Sequence, residues 1–193
     1  MTRYLATLFI MLFVSVPAAF AVTYQVDPAH TEINFTVPHL MVFKVRGNFN
    51  DFSGKIEVDG GKQTLTAVSA DIKTASLDTR NEKRDEHLRS ADFFEVGKYP
   101  DITFVSKKVS GNGPDITVVG DLTIKGVTKE VTLKGGFLGT NTDPWGNQRA
   151  GFEATGTINR HDFGLNWNKT LETGGVLVGD NVVIGLEVEA VRM

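Results

Sequence analysis

The chain has 193 residues, 41% of them apolar, a formal net charge of −3 and no cysteine. That length suits one domain with a sizeable core. The missing cysteines exclude disulfides, thiolate metal sites and cysteine nucleophiles, and the slight acidic excess gives no footprint for nucleic acid and no basic stripe for an anionic membrane.

The chain opens on Arg3, its only charge before Asp27, followed by the apolar run "YLATLFIMLFVSV", Pro17 and the small-residue site Ala19-Phe20-Ala21. A basic start, an apolar middle and an A-x-A end make residues 1–21 a cleavable secretory signal. A membrane anchor is the alternative, but the run is shorter than the ~20 residues needed to span. The mature protein is therefore expected to begin at Val22 and to be a soluble export, periplasmic where the cell has two membranes. It forms one domain over 22–193.

Period-two alternation dominates the rest of the chain. Ile33, Phe35 and Val37 share a face, and Pro38 is expected to end that run. Phe43, Val45 and Phe49 share a phase. The apolar parity then switches to Phe52, Ile56 and Val58, which predicts a bulge near Asn50-Asp51. Val68, Ala70 and Ile72 form another face, and Ile102 and Phe104 a short one. In "DITVVGDLTIKG" the even positions carry Ile116, Val118, Gly120, Leu122 and Ile124. A short "GVT" turn leads to Val131, Leu133 and Phe137. Phe152, Ala154 and Ile158 repeat the pattern, and Val182, Ile184, Leu186 and Val188 close the chain.

About eight one-sided strands joined by short turns predict an all-β, antiparallel barrel, with a sandwich as the alternative. An outer-membrane barrel also alternates, but the strands are short and aromatic girdles are missing.

One stretch breaks the pattern. "RNEKRDEHLRSADFF", from Arg80 to Phe94, is crowded with charge and ends in two aromatics. Thr79-x-x-Glu82 reads as a capping box, and Asp85 and Arg89 as a favourable i, i+4 pair, so a short helix is expected. Leu88 is nearly its only apolar residue, so the helix must be docked, with Leu88, Ala91, Phe93 and Phe94 as anchors. It is expected to lie across a barrel end.

A catalytic reading of this stretch fails on geometry. Glu86 and His87 are adjacent on a helix and point apart, and no nucleophile-elbow serine is present. The four histidines, His30, His39, His87 and His161, form no paired metal-binding motif, so no metal and no cofactor is assigned. Asp143-Pro144-Trp145-Gly146 is a turn whose Trp145 is read as packing on neighbouring loops, with closure of a ligand mouth as the alternative. "NRHDFGLNWN" is read as a corner fixed by Arg160 and Asp162.

Taken together, "VDPAHTEINFTVPHL", "VRGNFNDFSGKIEVD", "RDEHLRSADFFEVGKYPDITFVS", "GDLTIKGVTKEVTL" and "NRHDFGLNWN" resemble the YceI-like family of polyisoprenoid-binding proteins from about Tyr24 to the C-terminus. The resemblance implies a lipocalin-like antiparallel barrel with an elongated apolar cavity that binds a long isoprenoid or other amphiphilic chain, with no established catalysis. Members are typically secreted, commonly periplasmic, and often tied to stress or quinone biology. On this reading the inward faces and nearby aromatics contact the chain: Phe35, Val37, Phe43, Val68, Ile72, Phe94, Phe104, Leu122, Ile124, Leu133, Phe152, Ile158, Trp167 and Leu186. Arg84, Asp85 and His87 are expected to hold the polar head, with transient membrane contact at loading. The rival readings are an enzyme acting on such a lipid and a structural or stress-related barrel with a filled core. The small residues Ala70, Gly120, Gly135, Ala154 and Gly156 on inward faces permit either a channel or tight packing.

Overall fold

The computed structural model describes residues 20–62, 64–172 and 174–193. The expected secretory stretch falls outside the described residues as far as Ala19.

Eleven strands form one sheet: β1 (Ala21–Val26), β2 (Glu32–His39), β3 (Phe43–Phe49), β4 (Phe52–Asp59), β5 (Thr64–Lys73), β6 (Leu77–Asp78), β7 (Asp101–Asn112), β8 (Asp115–Ile124), β9 (Val127–Thr142), β10 (Gln148–Asn159) and β11 (Asn181–Arg192). Their pairing shows why eleven strands make an eight-stranded barrel. β1 and β2 both pair with β11, β4 and β3 pair with β1 and β2, and β5 and β6 pair with β4 and β3. Each of these pairs is one barrel strand interrupted by a short irregular step. With β7 to β10, and β1 closing on β11, the result is a closed antiparallel barrel of eight strands.

The parity switch at Asn50-Asp51 therefore marks a strand break, where the expected bulge would have kept one strand running. β3 ends at Phe49 and β4 starts at Phe52, each with different neighbours. The ladder irregularities lie elsewhere, at Glu57/Val58, Ser106/Lys108 and Gly151/Phe152. Pro38 does not end β2 either. It sits past the last rung to β11, Thr36 with Val183, where that ladder asks no donor of it.

Alternation decides which side chains fill the barrel. In β8 the even residues from Ile116 to Ile124 are buried and the odd ones are half-buried or exposed. In β11, Ile184 and Leu186 face the interior while Val183 is 43% exposed. Gly120 shows why some inward positions must be small: a Cβ there would lie 2.5 Å from the Phe104 ring on the neighbouring strand.

Because the strands run up and down, the two barrel ends differ. One carries the β4–β5, β7–β8 and β9–β10 turns. Just inside it Tyr24, Ile56, Val58, Ala150, Phe152 and Ala190 pack into a plug. The other end carries the β2–β3 turn, the β8–β9 turn, and the long connections β6–β7 and β10–β11. The helix α1 (Glu82–Arg89) lies in the first of these connections.

The β2–β3 turn is strained. Leu40 and Met41 have φ of 53° and 62°, and Val42 N–H donates to the His39 carbonyl at 3.2 Å. Left-handed backbone costs a non-glycine residue about 1–2 kcal/mol.

At the plugged end Arg149 ties four segments together. Its guanidinium bonds Asp27 between β1 and β2 (2.7 Å), Asp143 on the β9–β10 turn (2.9 Å) and Glu189 on β11. Asp27, His30 and Glu189 could by themselves surround a cation, but Arg149 already supplies the positive charge at Asp27 and Glu189. Trp145 on the same turn is 81% exposed, so it neither packs on neighbouring loops nor closes the covered end.

Two outcomes test this architecture. Ile184→Glu buries an unpaired carboxylate and should cost several kcal/mol, whereas Val183→Glu, one residue away, should be mild. Equal losses in thermal unfolding would contradict the alternation. The second concerns acid. The hydrogen bond from Arg149, then that from His30, holds the Asp27 carboxyl at about 2. A depressed carboxyl stabilises the fold above its unfolded value near ~3.9, and that contribution is lost as the pH falls toward about 2. Arg149→Met should flatten this part of the acid-denaturation curve. An unchanged slope between those values would show that the clasp is not what titrates.

Candidate functional site

The interior is not filled. A cavity of about 250 Å³ runs along the barrel between the plug and the helix end. Its wall is built from the inward faces of the strands, with Phe49, Phe52, Ile102, Ile116 and Val118 among them, and it is almost wholly apolar. Among the described residues, the one carboxylate residue on this wall is Glu153, which belongs to the outward, exposed set of β10. The small positions divide. Ala70, Gly135 and Ala154 line the cavity, while Gly120 and Gly156 are covered by Phe104 and Leu133.

The cover of this cavity is made of chain that is not strand. Leu88 from α1, Phe93 and Phe94 just after it, and Leu165 and Val178 from the β10–β11 connection all reach the lumen. Phe94 meets Phe49 edge-on at 6.1 Å, and Phe49 leans on Phe35 at 5.6 Å.

The helix is held by its charges. Asn81 is the N-cap, accepting from the Arg84 amide at 3.0 Å, in place of the expected Thr79. Thr79 serves another contact: its amide and hydroxyl both donate to the buried Asp85 carboxylate. Arg84 donates to the Thr79 hydroxyl and carbonyl, each at 2.7 Å. Arg89 does not pair with Asp85; it donates to the carbonyls of Ala75 (2.9 Å) and Leu77 (2.7 Å). Three charged residues thus clamp α1 onto the segment entering it.

The two halves of the cover meet at an aromatic seam. The His87 ring stands edge-on to Phe93 (5.1 Å) and Trp167 (4.7 Å), and bonds Asp92 at 2.9 Å. Trp167 packs on Phe93 at 5.3 Å.

Arg160 is the one buried charged side chain on the wall, among the described residues. It does not pair with Asp162 as expected. Its guanidinium donates to the carbonyls of Leu165, Trp167 (2.9 Å), Gly179 (2.9 Å) and Val178 (3.4 Å), and Asp180 stands 3.7 Å away. It therefore holds the β10–β11 connection in shape. Burial pushes its pKa below the ordinary arginine value, opposed by the charge on Asp180.

A family model described as the YceI-like domain matches residues 24–190. The chain belongs to the YceI-like family. It is 45% identical over 157 residues to the UPF0312 protein SAS2572 of Staphylococcus aureus, covering 81% of this chain and 90% of that one. Among solved structures, the YceI protein of Campylobacter jejuni matches with TM-score 0.70 and 34% identity, over 81% of this chain and 90% of its own. A structure described as a polyisoprenoid binding domain from Saccharophagus degradans, implicated in plant cell wall breakdown, matches with TM-score 0.60 over 88% of this chain and 98% of its own. At 16% identity that likeness shows the fold alone.

Within this YceI-like barrel the residues expected to contact a chain lie on the cavity wall, with two exceptions. Phe43 is 66% exposed at the hairpin tip, because β3 extends past the barrel rim there. Trp167 belongs to the seam outside the lumen. Arg84, Asp85 and His87, expected at a polar head, do not line the cavity: their polar atoms are spent on the clamp and on Asp92. Leu165, Val178 and Arg160 went unseen as wall residues. Leu165 and Val178 lie in a segment without periodicity, and only the charge of Arg160 directly after a regular strand could have flagged it.

Removing the clamp should be felt in stability. Asp85→Ala leaves the Thr79 amide and hydroxyl unpaired, an expected loss of about 1–3 kcal/mol in urea unfolding. Arg84→Ala should then weaken apolar ligands with charged and neutral heads alike. A selective loss of charged heads would return Arg84 to the head-group role.

Proposed function

We propose that the barrel binds and carries a long-chain isoprenoid or similar amphiphilic lipid, a quinone among the candidates, in the periplasm after removal of residues 1–21. The observation that carries the reading is the unfilled apolar cavity, closed at one end by a packed plug and at the other by non-strand chain. The polyisoprenoid-binding description of a structural neighbour and membership of the YceI-like family support it.

The chemistry of the wall favours binding over turnover. No histidine lines the lumen among the described residues, and its buried cation donates to four carbonyls. The one carboxylate there among the described residues, Glu153, belongs to the outward set of β10.

Energetics fit a carrier. Each methylene buried from water contributes about 0.8 kcal/mol, so a chain of about forty carbons would gain roughly 30 kcal/mol gross, beyond the ~20 kcal/mol at which non-covalent affinity saturates. The lipid's resting place is a bilayer, already apolar, so transfer is close to neutral and reversible.

The test is extraction and titration. Protein purified from the periplasm of its native source, starting at Val22, should release a lipid into organic solvent, identified intact by mass spectrometry. Ala70→Phe fills the lumen and should weaken an apolar fluorescent probe at least tenfold with the fold kept. An empty extract together with unchanged probe binding would defeat the carrier reading. A chemically altered lipid would assign turnover.

A further inference from the structure

Among the described residues, the β2–β3 hairpin tip carries a run of four consecutive exposed large apolar side chains. Leu40, Met41, Val42 and Phe43 are consecutive and 40%, 70%, 86% and 66% exposed. Single exposed apolar residues, such as Val105 or Trp145 here, are ordinary on any protein. Four in a row at a protruding tip are not.

Its backbone makes the point independently. The tip turns through Leu40 and Met41, both at positive φ, closed by Val42 N–H to the His39 carbonyl. Two successive left-handed residues define the hairpin turn that Asn-Gly or Asp-Gly fills without strain. Leucine and methionine are among the worse choices for such a turn and for a solvent-facing one. The tip thus gives up both local backbone stability and solubility, and what it gains is a cluster of large apolar side chains held outward.

Position says what that cluster faces. The tip stands at the covered end of the barrel, beside the β10–β11 connection: Leu40 N–H donates to Leu177, and Leu177 N–H donates to Lys169. The apolar cavity is covered at this same end by Phe93, Phe94 and Leu165. The charges on β3 are Lys44 and Arg46, both exposed and directly behind the apolar residues. An apolar point backed by basic residues matches the layering of a bilayer interface, with acyl region first and anionic head groups behind it. The chain as a whole is negative, so adsorption by net charge is not available to it, and the contact must be local. A second copy is a poorer fit: four side chains on a narrow finger fall short of the ~800 Å² per partner that a standard interface buries.

We propose that Leu40-Met41-Val42-Phe43 is a membrane-contacting tip that seats the covered end of the barrel on an anionic phospholipid bilayer, the source or sink of the cavity's ligand. This rests on the carrier reading for its purpose but not for its physical basis, and the two are tested separately.

The experiment is flotation of the mature protein with vesicles of phosphatidylcholine alone and of phosphatidylcholine with phosphatidylglycerol. Wild type should float with both, more strongly with the anionic vesicles, and Lys44→Glu with Arg46→Glu should remove only that difference. The triple variant Leu40→Asn, Met41→Gly, Val42→Thr should lose vesicle binding at least tenfold. Its thermal midpoint should rise, because Asn-Gly suits the turn, and its affinity for an apolar cavity probe in vesicle-free buffer should stay within twofold. Failure of wild type to float on either vesicle, or equal flotation of the triple variant, would overturn the tip as a membrane element, whatever the probe shows. Self-association of wild type in sedimentation velocity, abolished by the triple variant, would assign the tip to a second copy instead. Loss of probe binding in wild type would fall on the carrier reading alone.

Discussion

A barrel of eight strands encloses more space than its own inward side chains fill here, and the rest of the structure answers that constraint. Strands can line a lumen but cannot close its ends. At one end the solution is a plug of Tyr24, Ile56, Val58 and Phe152, stitched outside by Arg149 to Asp27, Asp143 and Glu189. At the other it is a cover of helix and loop. The two solutions differ in kind. The plug is strand residues packed on strand residues, so opening it means breaking ladder pairs. The cover is helix and loop, held by side-chain bonds of Arg84, Asp85, Arg89 and Arg160 and by a few backbone bonds to β2, such as Gly179 N–H to the Pro38 carbonyl.

That difference explains why α1 is so highly charged. A helix with one apolar residue gains little by packing, so its position is fixed by directed bonds from Arg84, Asp85 and Arg89 to the chain that enters it. The clamp lies on the β6 side. Towards the β10–β11 connection, His87 of the helix and Phe93 just after it pack on Trp167. The cover is thus bonded along the β6 border, and Lys125 on the β8–β9 turn adds a bond to the Ala91 carbonyl just after the helix.

The wall was legible in the sequence because period two leaves little freedom. Once Ile116, Val118, Leu122 and Ile124 are assigned inward, the odd residues must face out, and the same holds for Ile184 against Val183. What was not legible reflects the limits of that rule. A parity switch looks the same whether one strand bulges or two strands meet, so the break at Asn50-Asp51 was misread. Phe43 has the right parity but lies past the rim, and alternation carries no information about where a barrel stops. Arg84, Asp85 and His87 suggested a head-group site because charge beside aromatics suggests one. Their true partners, Thr79, Asp92 and Trp167, depend on tertiary placement that no local pattern encodes.

The size of the lumen bears on how such a protein can work. An unfilled apolar cavity costs about 24 cal/mol per Å³, so 250 Å³ costs on the order of 6 kcal/mol. That is a large part of the ~5–15 kcal/mol by which a domain of this kind is stable. At about 250 Å³ the cavity lies just below the ~300–1,000 Å³ typical of ligand pockets. On the carrier reading, the contacts that a bound chain makes would relieve this cavity cost. With the proposed tip seated on a bilayer, loading at the covered end would spare the chain a passage through water.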